Sequence, residues 1–171
     1  MRTIFGIPDS SAHILGTVSS PWIRRKNSYG IEADFHKGVT GEEFSILSLH
    51  SLYVSFPGAM VENLGRLNFG VLLISLLSME RFWEAHEIME IPWRKSSDPL
   101  LYHGFIRILV SQVKWQMDQK TLVSGVLNQG IDEITASTGL KREDILQKVD
   151  YPVLFKSNFL DRLLSGAETN I

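Results

Sequence analysis

At residue 40 the hydrophobic period of this chain changes, and that change constrains its fold more than any other feature. Before it, Gly, Pro, Ser and β-branched residues punctuate the short apolar runs Thr3 to Ile7 and His13 to Val18, which is strand and turn composition. Within this stretch Trp22-Ile23-Arg24-Arg25-Lys26, then Asn27-Ser28-Tyr29-Gly30, then Ile31-Glu32-Ala33-Asp34-Phe35 predict a hairpin. Ile31, Ala33 and Phe35 alternate with Glu32 and Asp34, so one buried face is expected. From Thr40 onward the apolar residues recur at helical spacing. The expected fold is mainly α, a helical bundle domain over 41–171 preceded by a small β-containing N-terminal segment over 1–40.

Local signals divide the helical part. Thr40-Gly41-Glu42-Glu43 has the form of a capping box, with Thr40 as N-cap and Glu43 at N3, and predicts a helix to about Ser55 that Pro57-Gly58 ends. Ala59 to Leu77 is apolar but carries Gly65 and Gly70, which allows one imperfect helix or two short ones. Met79 to Trp93 forms the next helix, with Pro92 placed to bend or end its last turn. Ser96-Ser97-Asp98-Pro99 supplies an N-cap and a Pro at N1 for a long helix to Asp118. Thr121 to Asn128, Asp132 to Ser137, Lys141 to Val149 and Pro152 to Leu164 read as shorter helices separated by Gly130, Gly139 and Asp150-Tyr151, before a fraying end at 166–171.

Composition excludes several classes. The chain has 171 residues and 19.4 kDa, is 44% hydrophobic and 21% charged, and has mean hydropathy +0.02, the profile of a globular domain with a buried core. Its net charge of -2 and pI near 6.2 provide no bulk attraction for nucleic acid or an anionic membrane. The absence of Cys removes disulfides, thiolate nucleophiles and Cys-ligated metals, and favours an intracellular compartment. The N-terminal sequence lacks the form of a signal peptide, and the longest apolar stretch, Val71 to Leu77, is far short of the roughly 20 residues that span a bilayer. A cytoplasmic protein with no membrane partner is expected.

The segment Arg81 to Arg94 carries the chemistry. At about 100° per residue, Phe82, Trp83, His86, Glu87, Met89, Glu90 and Trp93 fall within an arc of about 160°, so the acids share the aromatic face. His86 and Glu90 are one turn apart and Glu87 lies beside them, so the three can converge, with Glu84 on the flank. Burying ionised carboxylates costs several kcal/mol per ion, so the cluster demands partners. Those available are a divalent metal, basic side chains such as Arg94, and the indole N–H groups of Trp83 and Trp93. Imidazole and carboxylate suit zinc, manganese or iron, although His-Glu-x-x-Glu lacks the second His of the metalloprotease signature. On the next helix His103, Arg107 and Lys114 edge an apolar arc of Leu101, Phe105, Ile106, Ile108, Leu109, Val110, Val113 and Met117. His103 is placed to reach Glu90 as a further ligand or charge partner, or to snorkel to water.

Phe82-Trp-Glu-Ala-His-Glu-Ile-Met-Glu-Ile-Pro-Trp-Arg94, followed by Leu101-Tyr102-His103-Gly104-Phe105-Ile106, resembles the domain of unknown function 309 family over about residues 70–120. The resemblance implies a small all-helical fold and the label of metal-dependent hydrolase, with no substrate attached. It points to Glu84, His86, Glu87 and Glu90, supported by Trp93 and Arg94. Three positions depart from the pattern: Pro92 replaces an apolar helix former, Glu80 stands where a turn Gly is common, and His103 replaces Gln. Residues 1–60 have no counterpart in the resemblance.

Two readings of function follow. In the first, His86, Glu90 and His103 ligate a divalent metal, Glu87 and Glu84 serve as catalytic acids or bases, and a metal-activated water attacks a small-molecule substrate. In the second, the chain is a non-enzymatic bundle, partner-binding or homo-oligomeric, whose His/Glu/Trp cluster is a satisfied polar network. Other motifs carry less. Ile131 to Lys148 has the outline of a helix-turn-helix, but Glu143 and Asp144 beside Lys141, Arg142 and Lys148 argue against nucleic acid as partner. Trp22 to Lys26 is the one basic cluster with an aromatic, suited to RNA or phosphate, or to a strand edge guarded by charge.

Overall fold

The computed structural model describes residues 2–56 and 66–146, which form a small antiparallel sheet and seven helices. Mainly α holds. The described residues fall into two compact units, a sheet unit within 1–63 to which 116–119 are grouped, and a helical unit within 64–115 and 120–171. The helix that follows residue 40 packs on the sheet within the first unit.

In the sheet unit β1 (Thr3–Pro8), β2 (Ile23–Asn27), β3 (Gly30–Phe35) and β4 (Tyr53–Ser55) lie in the order β2-β3-β1-β4, all neighbours antiparallel. The hairpin forms as expected, with Asn27 opposite Gly30 across Ser28-Tyr29. Phe5, Ile7, Ile31, Ala33 and Phe35 share one face and form the core with Ile14, Leu15 and Leu47. Ile14 and Leu15 come from a 3-10 helix, Asp9–Thr17, where strand composition was expected over His13 to Val18. Its short turns cap the core instead of adding a strand.

The helix α1 (Gly41–His50) starts on the predicted capping box. Glu43 N donates to Thr40 Oγ1 at 3.2 Å and Thr40 N to Glu43 Oε2 at 3.0 Å. Ser19 and Ser20 add their backbone N–H and hydroxyl groups to the same carboxylate. The hydrogen bonds from Ser20, with those from Thr40 and Ser19, hold the Glu43 carboxyl well below its ordinary pKa. This helix ends at His50 rather than Ser55, because residues 53–55 pair with β1 as β4 and Leu52 N donates to Gly6 O at 2.7 Å. The expected stop at Pro57-Gly58 lies outside the described residues.

The second face of the sheet is also buried, which corrects the expectation of a single buried face. Arg25 is 1% exposed, and Glu32 and Asp34 are 0% exposed. Charges this deep persist only when paired. Arg25 NH1 donates to Glu32 at 2.5 Å and its NH2 to Asp34, whose carboxylate also takes Arg2 Nε at 2.9 Å and NH2 at 2.6 Å. Tyr53 Oη donates to Glu32 at 2.9 Å and lies 2.9 Å from Tyr29 Oη. Burial raises the Asp34 pKa, but Arg2 and Arg25 outweigh it and hold the carboxyl below its ordinary value. Gly6 is required here, since a Cβ would stand 2.2 Å from the Tyr53 ring.

The helical unit begins with α2 (Arg66–Ser78), continuing through Gly70; the earlier part of the expected Ala59–Leu77 helix lies outside the described residues. Its end is a Schellman turn: Glu80 N donates to Leu77 O at 3.0 Å and Arg81 N to Leu76 O at 2.8 Å, with Glu80 at φ 54°. A position that favours Gly is held by Glu80, as the departure from the family pattern suggested. Then follow α3 (Phe82–Lys95), α4 (Pro99–Gln116), α5 (Lys120–Thr138) and α6 (Arg142–Leu146). Asp98 caps α4 by accepting from Leu101 N at 3.2 Å. Its Phe105, Ile106, Ile108, Leu109 and Val113 are buried, with Leu73, Leu76, Phe82, Ile88, Met89, Ile131 and Ile134 from other helices of the unit.

The two helices expected over 121–137 are one, because Gly130 does not break α5 but lets it approach α4. A Cβ on Gly104 would meet Gly130 O at 2.7 Å, and one on Gly130 would meet Gly104 O at 2.6 Å. Gly139, at φ 68°, ends α5 before α6. The helix expected over 141–149 is described only as far as Leu146, and that over 152–164 lies outside the described residues, as does the end at 166–171. No helix among the described residues is long and apolar enough to cross a membrane.

Candidate functional site

The helix α3 presents the predicted cluster, and its first acid is paired where the helix begins. Arg81, leading into α3, grips Glu84 through Nε at 2.6 Å and NH2 at 2.5 Å, while Glu84 itself is 5% exposed. A bidentate guanidinium occupies both carboxylate oxygens, so Glu84 is held as an ion-pair partner at the start of the helix. Pro92 lies inside α3, which runs on to Lys95 rather than stopping. Its missing N–H withdraws one hydrogen bond from the Ile88 carbonyl.

His86, Glu87 and Glu90 come together as the spacing predicts, but on different sides of the imidazole. Nε2 lies 3.6 Å from Glu90 Oε1, and Nδ1 lies 4.0 Å from Glu87 Oε1. The lone pairs of the two ring nitrogens diverge, so an ion at Nε2 has Glu90 beside it while Glu87 stands at the other nitrogen. Arg94, 70% exposed, donates to Glu90 Oε2 at 2.6 Å. Trp83 lies against the same imidazole, ring centroids 5.1 Å apart.

His103 goes elsewhere. Its ring stacks on Trp93 at 5.4 Å and 22°, and its Nδ1 lies 3.0 Å from Glu133 Oε2 on α5. Arg107 completes this second group, donating from Nε to Glu133 Oε1 at 2.9 Å and from NH1 to Gln129 at 2.8 Å. His103 therefore joins Trp93 of α3 to Glu133 of α5. Sequence reasoning missed Glu133 and Gln129, which lie 26 and 22 residues beyond Arg107. Gly104 and Gly130 inside helical stretches were the available signal, since small residues on two helices bring neighbouring side chains within reach.

The residues present fit a three-ligand metal set poorly. Among the described residues no group of three or more His, Asp or Glu side chains is disposed to hold a metal ion. Three carboxylates of the region already carry guanidinium partners: Glu84 with Arg81, Glu90 with Arg94 and Glu133 with Arg107. The arrangement links α3, α4 and α5 by charge and ring stacking. The helix-turn-helix outline is occupied in the same way, for Arg142 donates to Asp132 and Asn128 of α5.

Residues 72–125 match the family described as Domain of unknown function (DUF309), a span that contains Phe82 to Arg94 and His103 but not Gln129 or Glu133. Neither a curated protein nor a solved structure matches the chain.

Proposed function

We propose, from the match of residues 72–125 to the DUF309 family, that this chain is a non-enzymatic helical module whose His/Glu/Trp cluster is a structural polar network. The observation that carries the reading is the pairing of Glu84, Glu90 and Glu133 with Arg81, Arg94 and Arg107, together with the placing of His103 beside Glu133. The Arg81 pair neutralises Glu84, which is buried, whereas Glu90 with Arg94 and Glu133 with Arg107 are more exposed pairs that hold side chains in place. Trp93 and His103 lock α3 to α4, and His103, Arg107 and Glu133 lock α4 to α5. The surfaces so fixed serve partner binding or self-association.

A metal-dependent hydrolase is the second reading, favoured by one observation: His86 Nε2 and Glu90 Oε1 face each other at 3.6 Å, a spacing that two ligands of one ion can adopt. In that reading His86 and Glu90 hold the ion and Glu87 stands by as a proton acceptor. Elemental analysis of protein purified without chelator or affinity nickel, beside His86→Ala and His103→Ala, separates the two. We expect no stoichiometric metal in any of them and a lower Tm for both variants. Near-stoichiometric zinc, manganese or iron that is lost in His86→Ala overturns the structural reading.

A further inference from the structure

The outer edge of β2 has a definite chemistry, and the ladder fixes which residues own it. Leu52 N bonds to Gly6 O, so the backbone groups of Gly6 point toward β4 and those of its odd-numbered neighbours in β1 toward β3. Backbone direction alternates along a strand, so in β3 residues 31, 33 and 35 turn to β1 while 30, 32 and 34 turn to β2. Their partners in β2 are Asn27, Arg25 and Ile23, which leaves the N–H and C=O groups of Arg24 and Lys26 directed outward. β2 is an edge of the sheet. Among the described residues neither Arg24 nor Lys26 has a hydrogen bond, ion pair or ring contact beyond the β2–β3 ladder.

The same two residues present their side chains in one direction. Arg24 is opposite Ala33 and Lys26 opposite Ile31, on the face of the apolar core, yet both are exposed. Trp22 precedes them at the same parity, half-buried against Phe35 with ring centroids 6.4 Å apart. Read along the edge, one face offers an indole and then two cations at two-residue spacing, beside outward backbone donors and acceptors. A second copy of this strand is repelled, because antiparallel or parallel self-pairing sets cations beside cations.

We infer that the outer edge of β2 docks an extended acidic segment of another protein, which adds as a fifth strand. Backbone hydrogen bonds to Arg24 and Lys26 supply the pairing, carboxylates opposite their side chains supply the charge match, and an apolar residue opposite Trp22 fixes the register. The charges that prevent self-pairing thus select the partner. This inference concerns the sheet unit and is independent of the reading given for the helical unit.

The test uses the full chain and a fluorescein-labelled peptide, Thr-Glu-Thr-Glu-Thr-Val-Thr, whose two Glu and one Val meet Lys26, Arg24 and Trp22 in antiparallel pairing. Fluorescence anisotropy is expected to report saturable binding that weakens with salt and falls about tenfold or more in the double variant R24E/K26E. A peptide with Lys in place of both Glu is expected to bind that variant and not the natural chain. The peptide methylated on both Glu backbone nitrogens keeps every charge but cannot pair, and is expected to lose binding to the natural chain. Undiminished binding of the methylated peptide overturns the inference, since the contact is then charge alone. Absence of binding by the unmodified peptide overturns it as well. So does a ten-nucleotide single-stranded RNA that displaces the peptide and depends on Arg24 and Lys26, which makes the edge a nucleic-acid surface.

Discussion

Gly104 of α4 and Gly130 of α5 face each other so closely that a Cβ on either would stand within 2.7 Å of the other's carbonyl oxygen. The clash is with backbone, which cannot rotate away. Gly104→Ala and Gly130→Ala are each expected to destabilise the chain by about 1–3 kcal/mol, although Ala is the better helix former. Because both relieve or suffer the same crossing, the double variant costs less than the two together. Urea unfolding midpoints of the three proteins check this.

Glu80 closes α2 in the left-handed region at φ 54°, where a side chain costs roughly 1–2 kcal/mol that Gly avoids. Glu80→Gly is therefore expected to stabilise the chain by about 1 kcal/mol, even though it frees the unfolded backbone. Glu80→Ala keeps the strain and serves as the control; an equal gain from Ala would show that the backbone angle is not responsible.

Arg25 and Arg24 are neighbours in β2 with opposite expectations. Replacing Arg25 with Leu leaves Glu32 and the Arg25 side of Asp34 buried without their main cation, and is expected to cost about 3–5 kcal/mol. Arg24→Leu changes an exposed side chain and is expected to stay within about 0.5 kcal/mol. Thermal unfolding of the pair is the measurement, and similar losses for both would contradict the assignment of faces.

Acid should weaken the sheet unit in a predictable window. Glu43 and Asp34 both titrate lower folded than unfolded, Glu43 through Ser20, Thr40 and Ser19, Asp34 through Arg2 and Arg25 against the opposing effect of burial. The folded state then binds fewer protons, so the stability they contribute is complete above the ordinary carboxylate range near pH 4 and is lost as pH falls through the lowered values. Ser20→Ala removes the hydroxyl donor to Glu43 Oε2, so it is expected to lower stability near neutrality and to flatten the acid dependence below about pH 4. Unfolding free energy measured across that range decides it; an unchanged slope in Ser20→Ala excludes Glu43 as its source.

Features set by residues close in the chain were legible in the sequence. The capping box at Thr40 and Glu43, the Asp98 cap, the Asn27–Gly30 turn and the special position of Glu80 all depend on neighbours within a few residues. What escaped was decided at a distance. Tyr53 to Ser55 continues a helical pattern in composition, yet β1 offers it an open ladder about fifty residues upstream. Glu32 and Asp34 look solvent-facing by alternation, and only the arrival of Arg25 and Arg2 makes their burial tolerable. Gly130 reads as a break until Gly104 is set against it. In the candidate site the nearness of Glu87 and of Glu90 to His86 followed from helical spacing, whereas their division between the two ring nitrogens and the pairing of His103 with Glu133 on a third helix are not revealed by spacing.

The strand order carries a consequence for how the chain reaches its fold. β1 lies in the interior of the sheet, yet it precedes both of its partners, β3 and β4, along the chain. During synthesis it must wait, apolar and unpaired, until the hairpin has emerged, and its second edge stays open until residue 55 follows. Such separated pairings slow folding and lengthen the time in which Ile4, Phe5 and Ile7 are exposed. The three-residue strand β4 is the last strand of the sheet to be made, and a chain stalled before it would leave one edge of β1 unpaired.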